Sequence, residues 1–191
     1  MAHDFERILQ FWLEDIPSSN WYVSTPEIDA EIRDKFLETW QAGHEGRLEH
    51  WLHCARGTLG YLILLDQFPR NMFRGSEMSF ASDRKALTAA KMALPRGFDK
   101  KIDGPARQFF YLPLVHSEVN SDQALAVSLF MTRMPEAEAN LLHARAHREV
   151  IRRFGRFPFR NAALGRISTQ AEQDYVDGGG YMSTVKELEA A

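Results

Sequence analysis

The stretch Thr58 to Phe73, TLGYLILLDQFPRNMF, decides the fold class of this chain. Apolar side chains fill nearly every position from Leu59 to Leu65, and a helix that is apolar on all sides is buried at the centre of a protein. A buried strand is the alternative for so short an apolar run. Pro69 has no N–H to donate to the Leu65 carbonyl, so a helix should bend or end there. The stretch therefore predicts a central helix with a break near its carboxyl end.

Segments on both sides of this helix also repeat apolar residues every three or four positions, which is the spacing of helices rather than of strands. Caps, prolines and glycines give the predicted boundaries: a short helix around Ile8 to Trp12, one from Pro26 to Trp40, one ended by Gly57, one from Ser76 to Leu94, one from Pro105 to Glu118, one from Asp122 to Met134, one from Glu136 to Phe154, and a last one after Thr169. The pattern predicts an all-α protein of eight or nine helices in antiparallel pairs, as a helical repeat or an irregular bundle.

Length and composition indicate a globular protein. The chain has 191 residues, of which 45% are hydrophobic, and a net charge of −3. We expect residues 1–180 to form a single domain and residues 181–191 to be a loosely ordered tail. A mildly acidic chain without a nucleic-acid-binding motif argues against nucleic acid as a partner. No apolar run approaches the length of a membrane span, so we expect no membrane association.

The expected location is the cytoplasm. Cys54 is the single cysteine, so no internal disulfide can form, as is usual in a reducing compartment. The first residues, MAHDFERILQFW, lack a basic segment ahead of an apolar one and do not indicate a secretory signal. These features leave the oligomeric state open.

A second stretch, RFGRFPFRNAALGRIST from Arg153 to Thr169, concentrates positive charge. Between Arg145 and Arg166 there are seven arginines and one acid, Glu149. The Phe-Pro step followed by Arg-Asn repeats the order found at Phe68 to Asn71. Arginine forks grip carboxylate or phosphate through two parallel hydrogen bonds. The two segments therefore predict one shared pocket for an anionic small molecule that carries a phosphate or carboxylate group.

The predicted ligand-binding residues are the polar side chains of both segments. They are Asp66, Gln67, Arg70, Asn71 and Arg74 from the first segment, and Arg156, Arg160, Asn161 and Arg166 from the second. Asp66 and Glu118 would orient arginines. Next to Glu118, His116 would carry a proton if a reaction occurs, because imidazole titrates near neutral pH. His116 could equally stabilise the negative end of a helix.

Other interpretations of these residues remain open. The arginines could clamp an acidic peptide or a C-terminal carboxylate in a groove. They could instead pair with acids inside the protein, as a buried network that fixes helix packing. His143 and His147, four residues apart, could bind a metal, but no third ligand is evident, so we expect no metal site. Without a glycine-rich phosphate loop, we expect no cofactor either.

Several segments resemble a known family, in the same order along nearly the whole chain. They are FW at Phe11-Trp12, LLDQFPRNMFRG at Leu64 to Gly75, FASD at Phe80 to Asp83, YLPLVHSE at Tyr111 to Glu118, and the stretch from Arg153 to Thr169. The chain resembles the bacterial family called domain of unknown function 924. The resemblance implies an all-helical, tetratricopeptide-like arrangement of helix hairpins, and no established activity. The family pattern has FPHRN where this chain has FPFRN, so Phe159 replaces a histidine and His116 is the better candidate for proton transfer.

Overall fold

The computed structural model describes residues 4–23 and 25–190, and these residues form helices without a single β-strand. The α-helices are α1 Phe5–Leu9, α2 Pro26–His44, α3 Ala55–Leu62, α4 Phe68–Met72, α5 Asp83–Ala93, α6 Leu112–Val115, α7 Asn120–Arg133, α8 Glu138–Phe154, α9 Gln170–Asp177 and α10 Gly180–Glu189. The prediction of an all-α fold is confirmed. Two of the sequence predictions extend beyond the described residues. The segment without a secretory signal begins with residues 1–3, and the predicted tail ends with residue 191. None of the described helices is long and apolar enough to cross a membrane.

The chain divides into two compact units, one ending at Pro113 and one beginning at Leu114. A single domain over residues 1–180 and a tetratricopeptide-like stacking of hairpins stay predictions. The prediction of a loosely ordered tail is wrong, because residues up to Glu189 belong to helix α10. Gly179 has a φ of 105°, a conformation that glycine adopts without steric cost, and this lets the chain turn between α9 and α10.

In the first unit, the predicted central helix runs from α3 through a π-helical segment, Ile63–Gln67, into α4. The backbone N–H of Phe68 donates to the carbonyl of Ile63, five residues earlier, just before Pro69 interrupts the ladder. The carbonyl of Leu65 instead accepts a hydrogen bond of 2.6 Å from the Ser82 hydroxyl. The helix thus continues through Pro69 by way of the π-helical segment, and a side chain from outside it satisfies the carbonyl that the proline leaves without its N–H.

Phe68, of the Phe-Pro step, is the centre of an aromatic cluster in the first unit. Its ring centroid lies 5.0 Å from that of Phe36, 5.4 Å from that of Trp12 and 6.2 Å from that of Phe11. All four side chains are buried. Aromatic pairs at these distances add to the free energy of burial. The cluster holds α2 and α4 against the amino-terminal segment.

Three predicted helix boundaries of the chain are wrong. Gly57 lies inside α3 rather than at the end of a helix. The position requires glycine, because a Cβ there would overlap the carbonyl oxygen of Trp51. Residues Gly104–Phe110 form a 3₁₀-helix instead of the start of a long α-helix. Helix α8 begins at Glu138, so Pro135 lies in the preceding turn and not at the first helical position.

The second unit is built around α8, which packs against α7 and α10. Its core contains Val150, Ile151 and Phe157, with Phe154 and two tyrosines packed against them. Helix α9 begins with the predicted capping box: the Thr169 hydroxyl accepts from the Glu172 N–H, and the Glu172 carboxylate accepts from the Thr169 N–H. The charged stretch Arg153 to Thr169 therefore connects the end of α8 to a well-defined start of α9.

Candidate functional site

Arg70 and Asp66 of the first predicted segment belong to an ion-pair network within the first unit. The Arg70 guanidinium lies 2.7 Å from the Asp83 carboxylate and 3.8 Å from the Asp66 carboxylate. It also donates to the Ser79 carbonyl. Gln67 donates a hydrogen bond of 2.5 Å to Asp66, which is buried. A buried carboxylate needs such partners, since an isolated charge in the interior is costly.

Asp29, on the first turn of α2, holds the other end of this segment. Its carboxylate accepts a hydrogen bond of 2.8 Å from the Asn71 amide. It also lies 3.1 Å from the Arg74 guanidinium. Asn71 and Arg74 therefore tie α4 and the residues after it to α2. The arginines of this segment both have carboxylate partners inside their own unit.

Arg156, in the second unit, makes a two-pronged ion pair with Glu172. The two N···O distances are 2.6 and 2.8 Å, and the same guanidinium donates to the Ile167 carbonyl at 2.9 Å. The hydrogen bonds from Arg156 lower the pKa of Glu172 to about 2. Because Glu172 also closes the capping box, Arg156 fastens the connecting loop to the start of α9.

Glu118 is occupied by partners other than its neighbour in sequence, His116. One carboxylate oxygen accepts from the backbone N–H of Phe157 and from the guanidinium of Arg166, each at 2.9 Å. Glu118 thus positions Arg166 and the Phe-Pro step. Asn161 donates to the Ser168 hydroxyl at 3.0 Å and lies buried beneath the same loop.

Arg160 lies on two aromatic rings, whereas Arg70 of the first segment lies on one, that of Phe80. Its guanidinium carbon is 4.5 Å from the Phe157 ring centroid and 5.9 Å from that of Phe159. The side chain of Arg160 is only 6% exposed, whereas Phe159 is 45% exposed. Contacts between a guanidinium and ring faces are favourable, more so when water is excluded. Phe157 therefore packs in the core, and the partly exposed ring of Phe159 lies on the solvent side of the nearly buried Arg160 guanidinium.

His147, on α8, lies next to both Phe157 and another histidine, His116. Its ring centroid lies 5.5 Å from that of Phe157 and 6.1 Å from that of His116. Burial lowers the pKa of His147 to about 3, and charge interactions with His116, Arg160 and His143 add to this shift. His147 is therefore neutral at pH 7.

The hydrogen bonds of His147 and its neighbours fix its orientation. Nδ1 of His147 lies 2.8 Å from the His143 carbonyl, and a neutral ring at this position donates Nδ1–H to that oxygen. Nε2 then carries the lone pair. One turn earlier, Nδ1 of His143 lies 2.6 Å from the hydroxyl of Tyr181 on α10, whose ring also packs 4.5 Å from that of His147. In residues 4–23 and 25–190, no three His, Cys, Asp or Glu side chains are grouped as metal ligands would be.

The two predicted segments belong to different units, Asp66 to Arg74 to the first and Arg156 to Arg166 to the second. Their union in one pocket stays a prediction. Within the second unit, His147 and Arg160 both contact Phe157, and His116 lies beside His147. Arg156 and Arg166 hold the loop through ion pairs with Glu172 and Glu118. Glu118 orients an arginine, which is one of the roles assigned to it from the sequence.

Tyr181, Glu172 and Asp29 are absent from the predicted site. Tyr181 follows three consecutive glycines, which indicate a helix end rather than a helix. Glu172 lies outside the charged stretch Arg153 to Thr169, and Asp29 is separated from Asn71 by more than forty positions. One signal was available: His143 and His147 share a helix face with spacing of four, and α10 covers that face.

Comparisons with known proteins agree with this architecture. A family described as bacterial protein of unknown function, DUF924, matches residues 8–180. The chain belongs to this family. A solved structure of a protein of unknown function from Agrobacterium tumefaciens is 36% identical, with a TM-score of 0.85, and the match covers 91% of this chain and 97% of that one. A search of curated proteins finds no match.

Membership of the family confirms the resemblance carried by the DQFPRN, HSE and GRFP segments. The structural similarity extends over nearly the whole of both chains, so the all-helical architecture is shared. Both descriptions name a protein of unknown function. The function must therefore be argued from the side chains of this chain.

Proposed function

We propose that the second unit binds a small anion, carrying a phosphate or carboxylate group, at the cluster formed by His116, His147 and Arg160. The observation that supports this proposal is the convergence of His116, His143 and Arg160 on His147, whose pKa each of them lowers through charge. An anion placed among these groups would stabilise their protonated forms.

The aromatic surroundings favour the same ligand. Phe157 is fully buried and Phe159 covers Arg160 from outside. Hydrogen bonds and charge interactions are stronger where apolar side chains exclude water. A guanidinium can donate to two oxygens of one anion, and a protonated imidazole offers a further N–H.

Arg70, Arg74, Arg156 and Arg166 serve this proposal as scaffold rather than as ligands. Each lies within 3.1 Å of a carboxylate oxygen of its own unit. Binding an anion there would require breaking a pair that already satisfies the guanidinium. For these four, the interpretation as a structural network is the better supported one.

The proposal couples binding to protonation. A bound anion stabilises the protonated form of His147 and so raises its pKa, and by linkage the anion binds more tightly as the pH falls. Sulfate is a suitable probe, because its charge stays constant between pH 8 and pH 5. Its affinity should increase over this range.

An anion screen by thermal unfolding, followed by calorimetric titration, tests the proposal. A ligand at one hundred times its dissociation constant adds about 2.7 kcal/mol to the free energy of unfolding. Phosphate and sulfate also stabilise proteins by exclusion from their surface, so the readout is the difference between variants. Arg160→Gln should abolish saturable binding, and Arg145→Gln, which removes the same charge from an exposed position on α8, should not.

Two results would count against an anion site. One is the absence of saturable binding for phosphate, sulfate and small carboxylates alike. The other is equal affinity in the wild type and Arg160→Gln. If Arg160→Gln does not fold, His116→Asn tests the same site from its partly buried edge. Binding of an acidic peptide but of no small anion would support the peptide-clamp alternative instead.

A further inference from the structure

A cavity in the first unit is lined by a tyrosine whose hydroxyl has no hydrogen-bond partner among the described residues. The cavity has a volume of about 480 Å³ and lies beside α3 and α5. This volume falls within the range of about 300–1,000 Å³ that is usual for small-molecule sites. Its position in the first unit makes it independent of the anion site proposed above.

Tyr61, on α3, lines this cavity. The residue is only 2% exposed, and no other described residue forms a hydrogen bond with its hydroxyl. The hydroxyl is open to the cavity rather than enclosed in the interior, so a ligand in the cavity can supply its hydrogen-bond partner. Burial, with a smaller contribution from Glu49, raises the pKa of Tyr61 to about 12, so the phenol stays a neutral donor.

Two cationic side chains of α5 stand at the same cavity. They are Arg84, which is exposed, and Lys85, which is partly buried. Among residues 4–23 and 25–190, neither side chain forms an ion pair. Glu49 is the acid of this lining, so the cavity carries a net charge of one positive unit. A negative group would satisfy both the phenol and a cation.

Apart from Thr88, the remaining lining is apolar. Leu52 and Met92 lie on it, and Met92 is exposed to solvent. Methionine adapts to ligands of different shape, and an apolar wall contributes free energy in proportion to the area that a ligand covers. The cavity therefore has a polar end and an apolar part that can contact a hydrocarbon chain.

We infer that this cavity binds a monocarboxylic acid with a hydrocarbon body. The carboxylate accepts a hydrogen bond from Tyr61 and pairs with Lys85, and the hydrocarbon chain lies against Leu52 and Met92. Sequence spacing alone could not indicate this site, because Tyr61 belongs to the apolar central helix and Lys85 to a different one.

Calorimetric titration with octanoate tests the inference, with octylammonium as a ligand of equal chain length and opposite charge. Octanoate should bind saturably and octylammonium should not. Tyr61→Phe, which removes only the hydroxyl, should weaken octanoate binding about tenfold, as expected for a hydrogen bond to a charged group. Lys85→Gln should also weaken it, whereas Lys91→Gln, on the same helix but outside the cavity, should leave it unchanged.

Three outcomes would overturn the inference: no saturable binding of octanoate, equal affinity in the wild type and Tyr61→Phe, or equally tight binding of octylammonium. Arg160→Gln separates this site from the one in the second unit. Octanoate binding that disappears in Arg160→Gln and survives in Tyr61→Phe would place the carboxylate in the second unit and refute the cavity.

Discussion

Replacing His147 by asparagine should make the protein less sensitive to mild acid. In the folded protein the pKa of His147 is lowered to about 3, from an ordinary value near 6.5. Between these values the unfolded chain binds a proton that the folded protein does not, so stability decreases as the pH falls. Asparagine does not titrate, and its side-chain amide can still donate to the His143 carbonyl.

The magnitude follows from the two pKa values. For a single group with these constants, lowering the pH from 7 to 5 reduces the free energy of unfolding by at most about 2 kcal/mol. This figure barely depends on the folded value, as long as that value lies below about 4, because the folded protein then stays unprotonated at pH 5. His147→Asn should therefore lose about 2 kcal/mol less than the wild type over this interval.

Urea unfolding followed by circular dichroism is the suitable assay, in buffers without phosphate or sulfate. All four tryptophans, Trp12, Trp21, Trp40 and Trp51, belong to the first unit, so their fluorescence follows that unit separately. His53→Asn, which changes an exposed histidine of the first unit, is the matched control and should follow the wild type. Equal losses of stability in the wild type and His147→Asn would refute the reasoning.

Two further predictions concern hydrogen bonds that shape the backbone. Thr169→Ala should lower stability by about 1 kcal/mol because it removes the capping hydroxyl of α9, and Thr169→Ser should restore it; equal melting temperatures for all three proteins would contradict the role of the cap. Ser82→Ala should cost about 1–3 kcal/mol in urea unfolding, since the Leu65 carbonyl and the Trp40 indole N–H both bond to this hydroxyl. A negligible loss would show that other groups satisfy the Leu65 carbonyl.

The helical architecture was predictable because local signals and burial agreed. The apolar run from Leu59 to Leu65 predicts the central helix, and Pro69 predicts the interruption of its backbone hydrogen bonds. The missing N–H of a proline affects the carbonyl four residues earlier wherever the helix lies, so this consequence can be read from sequence. The π-helical turn before Pro69 could not, because it depends on how Phe68 packs among three other aromatic rings.

Errors arose where glycine has more than one role. The sequence predicts a helix end at Gly57, but this glycine allows α3 to approach the Trp51 carbonyl. Gly178 to Gly180 predict the end of the last helix and a loose tail after it, but Gly179, in the left-handed conformation, precedes another helix. In both cases the deciding contact involves atoms outside the glycine's own segment.

The partners of the arginines were the least predictable part of the site. The sequence shows an excess of positive charge between Arg145 and Arg166, but it does not show that Glu118 reaches Arg166 from 48 positions away. Only the folded chain shows that Arg160 lies on Phe157 and Phe159 and close to His147. The proposed anion site therefore keeps Arg160 of the nine predicted ligand residues and adds His147, which was not among them.

Calorimetric titration of sulfate at pH 6 tests the proposed function most directly. The proposal predicts saturable binding to the wild type, an affinity at least tenfold weaker in Arg160→Gln, and an unchanged affinity in Arg145→Gln. Equal affinities in the wild type and Arg160→Gln would contradict it.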